Sequence, residues 1–201
     1  DIYVVNVFTG VINRISLSTA GVAANGSNFK PALSATGRYI AWESNATNLL
    51  AAGTTVGVTH IYLRDRDVSN SGTFDTAGNV STVLVSQATG AATPGNGNSI
   101  QATISADGQY VAFASDATNL GGTVGGGFRN IYLRDVTNAT TTLASFGVAA
   151  AASNGSSRAP SLNRNPGVSA GLSADGRYIA VGSEASNLIA ADTNAISDII
   201  S

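Results

Sequence analysis

Short apolar runs alternate with polar turns along the whole chain, and one pattern of eight residues occurs three times. In each copy a polar turn containing Gly leads directly into an apolar run that is rich in β-forming residues. The copies lie at residues 34–41 (SATGRYIA), 105–112 (SADGQYVA) and 173–180 (SADGRYIA). Gly supplies the positive φ angle that tight turns between antiparallel strands require. The pattern therefore predicts three β-hairpins in a repeat protein.

Further strands are predicted after the hairpins. The run Ile-Tyr-Leu-Arg-Asp occurs at residues 61–65 and 131–135, and alternation along a strand places its Ile and Leu on one side and its Tyr and Arg on the other. Runs rich in Thr, Val and Leu follow at residues 82–86 and 141–145. One repeat thus contains four short antiparallel strands, which is typical of a β-propeller blade. We expect an all-β fold of propeller-type repeats with three four-stranded, antiparallel, blade-like units.

The phase of the repeat relates the two ends of the chain to each other. Four polar residues occupy one repeat position, each before an Ile-Tyr or Ile-Ile pair: Asp1, His60, Asn130 and Asp198. They divide a single domain, residues 1–201, into periods at 1–59, 60–129 and 130–197, with an overhang at 198–201. Residues 1–17 then correspond to the back half of a blade and residues 172–181 to the front half. We expect a split blade shared between the two ends, and an insertion at residues 163–170.

Together these motifs resemble the TolB-like β-propeller repeats, also called PD-type or WD-like repeats. The resemblance rests on the Ser-Ala-Asp-Gly-Arg-Tyr hairpin, the Ala-Thr-Asn-Leu turn at residues 46–49 and 117–120, and the Ile-Tyr-Leu-Arg-Asp strand. It covers nearly the whole chain. It implies a propeller that serves as a binding or structural platform, since the fold alone does not specify an activity. The chain departs from the family in its three units, because closed propellers have four to eight blades.

Three blades do not readily close a ring, so both ends are expected to present unpaired sheet edges, which recruit other chains. In one interpretation the chain is a fragment of a longer propeller. In the other, the N-terminal half-blade of one copy adds to the C-terminal half-blade of a neighbour by β-augmentation, giving a ring or a filament. The residues predicted to carry this assembly are Asp1, Ile2, Tyr3, Val4, Val5, Ile199 and Ile200.

The composition argues against several classes of partner. With a net charge of −2 and 11% charged residues, the chain gives no electrostatic reason to expect binding to nucleic acid. Its apolar runs are too short to cross a bilayer, so no membrane insertion is expected. The absence of Cys excludes disulfides and thiolate metal sites. Low charge with abundant Ser, Thr, Asn and Gly favours an extracellular or cell-surface protein, with the periplasm as the alternative.

Residue types that carry catalysis are sparse. His60 is the only His, which excludes a multi-His metal site and a Ser-His-Asp triad elsewhere, and its repeat position indicates a polar residue at a strand start. The Arg-Asp pairs at residues 64–65 and 134–135 recur at one position and are expected to make structural ion pairs or hydrogen bonds. One further repeat position is predicted to lie in the core of each blade, and it is occupied by Trp42, Phe113 and Val181. We therefore predict no catalytic residue, no cofactor-binding residue and no enzymatic activity.

One polar segment has the spacing of an abbreviated calcium loop, with oxygen ligands expected from Asp192, Asn194 and Asp198. The alternative is a polar turn held by side-chain-to-backbone hydrogen bonds. Ala195 stands where a calcium loop needs Gly for its sharp bend. Calcium is the single cofactor that the sequence suggests.

The leading hypothesis is thus a non-enzymatic extracellular structural protein whose repeats self-assemble, so that its main partner is itself, in a homo-oligomer or polymer. The alternative is a TolB-like module that binds protein or glycan and is a fragment of a longer chain. The size of the purified particle distinguishes them, because the first predicts a large assembly and the second a compact form.

Overall fold

The computed structural model describes residues 1–90, 93–122, 124, 127–148, 153–158, 171–190, 192 and 198–200. Within these residues the chain is all-β, with antiparallel strand pairs and no α-helix. The strands are β1 Tyr3–Val5, β2 Ile12–Arg14, β3 Asn28–Leu33, β4 Tyr39–Ser44, β5 His60–Asp65, β6 Ser81–Leu84, β7 Ser99–Ile104, β8 Tyr110–Ser115, β9 Asn130–Asp135, β10 Thr140–Leu143, β11 Ser157–Arg158, β12 Val181–Ser183 and β13 Asp198–Ile200.

The strands form four sheets in which consecutive strands are neighbours. The N-terminal hairpin contains β1 and β2, sheet I runs β3-β4-β5-β6, sheet II runs β7-β8-β9-β10, and sheet III runs β11-β12-β13. Sheets I and II have the four strands that the sequence predicts for one repeat, whereas sheet III has three within the described residues. The arrangement is consistent with a β-propeller-like fold, and no closed sheet occurs in the described ranges. Nor do these ranges contain a helix with the length and apolar character of a membrane span.

The first strand of sheets I and II is interrupted at the same point. In sheet I the register between β3 and β4 shifts after Phe29, and in sheet II the register between β7 and β8 shifts after Ile100. The next residues, Lys30 and Gln101, have positive φ angles of 44° and 57°. Both features indicate a β-bulge, which leaves extra residues of one strand unpaired.

Sheet III has a longer interruption at the corresponding point. β11 pairs with β12, and beyond the interruption Leu172 forms an isolated bridge with Ile179. The sequence between Arg158 and Leu172 is therefore longer than the sequence between the matching residues of sheet I, Phe29 and Leu33. The insertion predicted at residues 163–170 lies outside the described residues.

The apolar core lies between successive sheets, in three clusters. Strand β5 shows the cause, because side chains alternate across a strand. Ile61 and Leu63 pack against sheet II, whereas Tyr62 packs on the opposite side, against the N-terminal hairpin. Sheets I and II are therefore apolar on both faces, and a neighbouring sheet or hairpin covers each face.

The position predicted to be blade core is buried in all three repeats, which confirms the prediction for Trp42, Phe113 and Val181. Trp42 stacks on Tyr62 with their ring centroids 5.8 Å apart. Phe113 stacks on Tyr132 in the same way, at 5.9 Å. Offset stacking of this kind adds about 0.5–1.5 kcal/mol to the burial of the rings themselves.

The Arg and Asp of the repeated Arg-Asp pairs bind different partners. Arg64 Nη1 donates to Thr82 Oγ1 at 2.9 Å, and Asp65 accepts hydrogen bonds from Arg38 Nε and Nη2 at 2.7 and 2.8 Å. Arg134 repeats the first contact, at 2.9 Å to the Thr hydroxyl of its own fourth strand. These contacts stabilise the sheets, as the sequence predicts.

A buried carboxylate organises the loop between β5 and β6. Asp67 accepts hydrogen bonds from Ser71 N and Oγ, both at 2.9 Å, from Gly72 N at 2.7 Å and from Asn79 Nδ2 at 2.7 Å. Burial raises the pKa of Asp67, but the hydrogen bonds to its ionised form outweigh burial and lower the pKa from 3.8 to about 2. The ionised carboxylate therefore stabilises the folded loop.

We expect the Asp67→Asn variant to be less stable than the wild-type chain at neutral pH. Because the pKa of Asp67 is lower in the folded than in the unfolded chain, its stabilisation is complete above 3.8 and is lost as the pH falls toward about 2. Urea unfolding followed by the fluorescence of Trp42 measures both proteins. The difference between their free energies of unfolding should shrink across this interval, and a difference that is constant down to its lower end would contradict the assignment.

Candidate functional site

The three Gly-Tyr turns predicted from the sequence lie side by side. We call them the repeat turns: residues 34–39, 105–110 and 173–178. Ala35 N donates to Ala106 O at 3.1 Å, and Ala106 N donates to Ala174 O at 2.8 Å. These two backbone hydrogen bonds join the repeat turns into one row across sheets I, II and III.

In the first two repeat turns the Tyr ring covers the Gly of the next turn in the row. A Cβ atom on Gly108 would collide with the ring of Tyr39, and a Cβ atom on Gly176 would collide with the ring of Tyr110. Both glycines are buried and have positive φ angles, 79° and 72°. Gly alone combines this backbone conformation with so close an approach. The repeated Gly and Tyr therefore form a contact between neighbouring sheets.

The row of repeat turns has two open ends. Gly37 has a φ angle of 74°, and no described atom lies within 4 Å of its Cβ position. Tyr178, at the other end, is 62% exposed. Ala35 and Ala174 are exposed as well, whereas Ala106 in the middle of the row is half-buried. Each end thus presents one half of the contact that the inner turns make.

The N-terminal hairpin has the structure of the third and fourth strands of a sheet. Ile2 N donates to Ser16 Oγ at 3.2 Å, just as Ile61 N donates to Ser86 Oγ at 3.0 Å in sheet I. Sheet II repeats this hydrogen bond at 2.9 Å. The hairpin therefore matches β5–β6 and β9–β10, and the first and second strands that would complete it are absent from the described residues.

A Thr contact fixes the hairpin in front of sheet I. Thr19 Oγ1, which follows β2, accepts a hydrogen bond from Thr82 N at 2.8 Å. Thr89 Oγ1, which follows β6, accepts one from Thr141 N at the same distance of 2.8 Å. The N-terminal hairpin is thus placed relative to sheet I in the same way as the fourth strand of sheet I is placed relative to sheet II.

Strand β1 has an unpaired edge within the described residues. It bonds to β2 through alternate residues, since Asn6 N donates to Val11 O at 2.9 Å. The N–H groups of Tyr3 and Val5 therefore point to the opposite edge, where the described chain supplies no strand. Their side chains are 58% and 51% exposed, whereas Tyr62, at the position of Tyr3 in sheet I, is 0% exposed.

Three of the predicted assembly residues instead hold the N-terminal hairpin itself. Ile2 is buried and Val4 is half-buried, and both pack toward sheet I. Asp1 Oδ1 accepts a hydrogen bond from Arg14 Nη2 at 2.7 Å. Asp1 is exposed but ion-paired within the hairpin, whereas Tyr3 and Val5 are the exposed apolar residues of this set.

At the other end of the chain, β13 occupies the third-strand position of sheet III. Ile199 pairs with Gly182, and Ile200 pairs with Val181. Within the described residues three residue pairs join β13 to β12, compared with six between β5 and β4. Because the described part of sheet III has no fourth strand, β13 is its edge.

The predicted calcium loop stays a prediction. Asp192 is described, Asn194 lies outside the described residues, and only the backbone of Asp198 is described. Elsewhere in the described chain, no three carboxylate or His side chains cluster as a metal site would require.

His60 is fully buried at the start of β5. Its Nδ1 lies 3.3 Å from Ser86 Oγ, and its ring meets the ring of Tyr62 edge-on, at 6.5 Å between centroids. Burial lowers the pKa of His60, so the ring stays neutral at physiological pH. The residue is a packed part of sheet I, in agreement with the structural interpretation from the sequence.

A polar cleft of about 290 Å³ opens between sheets II and III. Its described lining residues are Asp116, Gly127, Arg129, Ser156, Ser157 and Glu184. Arg129 donates to both carboxylate oxygens of Asp116, at 2.8 and 2.7 Å, and these bonds raise the pKa of Arg129. At the matching place between sheets I and II, Asn98 Oδ1 accepts the N–H of Thr59 at 2.9 Å. In the next repeat Ser156 takes the place of Asn98, and Arg129 takes the place of Thr59.

The cleft has hydrogen-bonding groups but no His beside its serines, since His60 is packed in sheet I. Asp116 neutralises the charge of Arg129. Sequence reasoning missed this cleft, and the signal that was present is the change from Asn98 to Ser156 at one repeat position.

Comparison with known proteins gives a distant structural similarity. No family model matches the chain, and no curated protein matches it. Among solved structures, TolB from Acinetobacter baumannii is similar with a TM-score of 0.42 and 17% sequence identity. The match covers 98% of this chain and 36% of the TolB chain, so this chain spans about a third of that protein's length. The likeness concerns the fold alone.

The Tyr-on-Gly contact predicts different effects for the same substitution at two glycines. Gly37→Ala and Gly108→Ala share the strain of a positive φ angle, about 1–2 kcal/mol. Only at Gly108 does the added methyl group collide with a Tyr ring, so Gly108→Ala should lower the free energy of unfolding by about 1–3 kcal/mol more. Urea unfolding of the dilute chain, with Trp42 fluorescence as the signal, measures both. Equal destabilisation would contradict the contact.

Proposed function

We propose that this chain is a non-enzymatic structural protein of the cell exterior whose copies assemble head to tail by strand complementation. The observation that carries the proposal is the unpaired edge of β1, with the exposed side chains of Tyr3 and Val5 beside it. An exposed strand edge of this kind recruits another strand through its backbone hydrogen-bonding groups.

The two ends of the chain supply complementary parts of one sheet. In sheets I and II the third strand pairs with the second over six residues. β12 is the second strand of sheet III, and β1 is a third strand that has no second strand beside it among the described residues. Pairing β1 of one copy with β12 of another gives a composite four-stranded sheet in the order β11-β12-β1-β2.

In this assembly β1 takes the position that β13 holds within a single chain. β13 occupies it with three residue pairs. Exchange for β1 keeps the position filled, adds β2 as the fourth strand, and covers the outward side chains of Tyr3 and Val5. Because about half of each side chain is already covered, this burial contributes on the order of 1 kcal/mol for each residue.

The contact joins different surfaces of the two copies, so it is heterologous and propagates. Such a contact closes into a ring when the rotation between copies divides a full turn, and it otherwise continues as a filament. The partner of the chain is then the chain itself.

The chemical composition supports the remaining parts of the proposal. Only 11% of the residues are charged, and Cys is absent, which suits a structural chain that needs neither a redox site nor a charged ligand. The described cleft offers no activated nucleophile, which favours a structural role over catalysis. An extracellular or cell-surface location fits the abundance of Ser, Thr, Asn and Gly.

A second candidate function is glycan or protein binding by a TolB-like module of a longer chain. The cleft between sheets II and III favours it, because carboxylates and Ser hydroxyls suit the hydroxyl groups of a sugar. Ser156→Asn restores the residue of the preceding repeat and should fill the cleft. Binding on a glycan array that Ser156→Asn abolishes, from a chain that is monomeric in solution, would support this candidate over self-assembly.

The variant Val5→Pro tests the β1 edge. Pro removes the N–H that points to the free edge, while the hydrogen bonds of β1 to β2 use the alternate residues. We expect the dissociation constant of the assembly to rise at least about tenfold, with the thermal stability of the dilute chain little changed. Val5→Thr keeps the N–H and the β-branched shape, and serves as the matched control.

Sedimentation velocity over a range of protein concentrations, with negative-stain electron microscopy of the concentrated sample, measures the effect. A wild-type chain that stays monomeric at all concentrations would contradict the proposal, as would equal assembly of Val5→Pro and Val5→Thr.

A further inference from the structure

The row of repeat turns contains the same contact twice. Between sheets I and II the ring of Tyr39 lies over Gly108, and between sheets II and III the ring of Tyr110 lies over Gly176. A backbone hydrogen bond accompanies each contact, at 3.1 and 2.8 Å. Two independent junctions thus fix the geometry with which one repeat turn packs on the next.

The vacant place in this row lies directly before sheet I. The Thr19–Thr82 contact holds the N-terminal hairpin there as the third and fourth strands of a preceding sheet. The second strand of that sheet, which would carry a repeat turn, is absent from the described residues. That repeat turn would place its Tyr over Gly37, and the space at the Cβ position of Gly37 is open.

The C-terminal repeat turn has the shape and chemistry that fit this place. Residues 173–178 read Ser-Ala-Asp-Gly-Arg-Tyr, and the turn at residues 34–39 differs from them only by Thr36 in place of Asp. Tyr178 is 62% exposed, and the N–H of Ala174 is at the open end of the row. A second copy of this chain therefore offers the half-contact that Gly37 lacks.

We propose that the repeat turn at residues 173–178 of one copy docks on the repeat turn at residues 34–39 of the next copy. The ring of Tyr178 lies over Gly37, and Ala174 N donates to Ala35 O. The inference rests on the proposed strand exchange, which brings the two turns together, and it adds a docking contact outside the exchanged strands. The Tyr-on-Gly contact fixes the register, because a shift along the row would press the ring against a residue that has a Cβ atom.

Cysteine cross-linking tests this contact directly, since the chain contains no Cys of its own. Ala35 and Ala174 are both exposed, so the variant Ala35→Cys/Ala174→Cys presents two accessible thiols at opposite ends of the row. A short bis-maleimide reagent should then convert the assembled protein into a ladder of covalent dimers, trimers and larger species on a denaturing gel.

Ala35→Cys/Ala106→Cys is the matched control. Its two positions already adjoin within one chain through the 3.1 Å hydrogen bond, so the reagent should close a loop inside the monomer and give no ladder. Tyr178→Ala is the second variant. Because Tyr178 is largely exposed in the single chain, its loss should leave thermal stability nearly unchanged and raise the dissociation constant of the assembly at least about tenfold.

The outcomes separate this inference from the proposed function. A ladder from the first variant, absent from the control and weakened by Tyr178→Ala, supports the docking contact. Assembly in sedimentation experiments without such a ladder overturns the docking contact and leaves strand exchange standing. A wild-type chain that is monomeric throughout overturns both.

Discussion

Sheets I and II each have two apolar faces, so each is stable only when a neighbouring sheet or hairpin covers both faces. The cause is the alternation of side chains along the Ile-Tyr-Leu strands, which sends Ile61 and Leu63 to one side and Tyr62 to the other. Sheets I and II satisfy this requirement inside the chain. The N-terminal hairpin has only one covered face, and its exposed Tyr3 shows what an uncovered outer face looks like. The same requirement that builds the fold thus leaves an uncovered outer face on the N-terminal hairpin, within the part of the chain that the structure describes.

Small polar side chains fix the alignment of strands and sheets, which apolar packing alone does not determine. The Ser after each described fourth strand accepts a hydrogen bond from the N–H of an Ile in the third strand beside it. A Thr further along the chain then bonds to the next sheet, as Thr19 does to Thr82. Because these polar groups are hydrogen-bonded where they are buried, their burial costs little free energy, and their pairing selects one register between the strands. The low share of charged residues agrees with this architecture, since short Thr hydroxyl groups make hydrogen bonds between the sheets beside the apolar core.

The repeats themselves could be predicted from the sequence, because a Gly before a β-forming run determines a local turn whatever surrounds it. The strands of sheets I and II and the buried position of Trp42 followed from that periodicity. The Tyr-on-Gly contact could not, since it joins residues of different repeats and no spacing within one repeat encodes it. The bulges were missed for a related reason: Lys30 and Gln101 share the backbone conformation but no residue type. The cleft could not be predicted either, because its lining combines residues of two repeats, such as Arg129 and Ser156.

The bulge in the first strand of sheets I and II has a consequence for how the length of such a strand can change. At this point the strand already leaves its partner and returns to it, so added residues interrupt no hydrogen bond of the ladder. In the third repeat a longer stretch of sequence separates the described pair of Arg158 with Gly182 from that of Leu172 with Ile179. The first strand of the sheet is therefore a suitable grafting point: a foreign peptide placed between Lys30 and Pro31 would be displayed by sheet I without altering the register of its other strands.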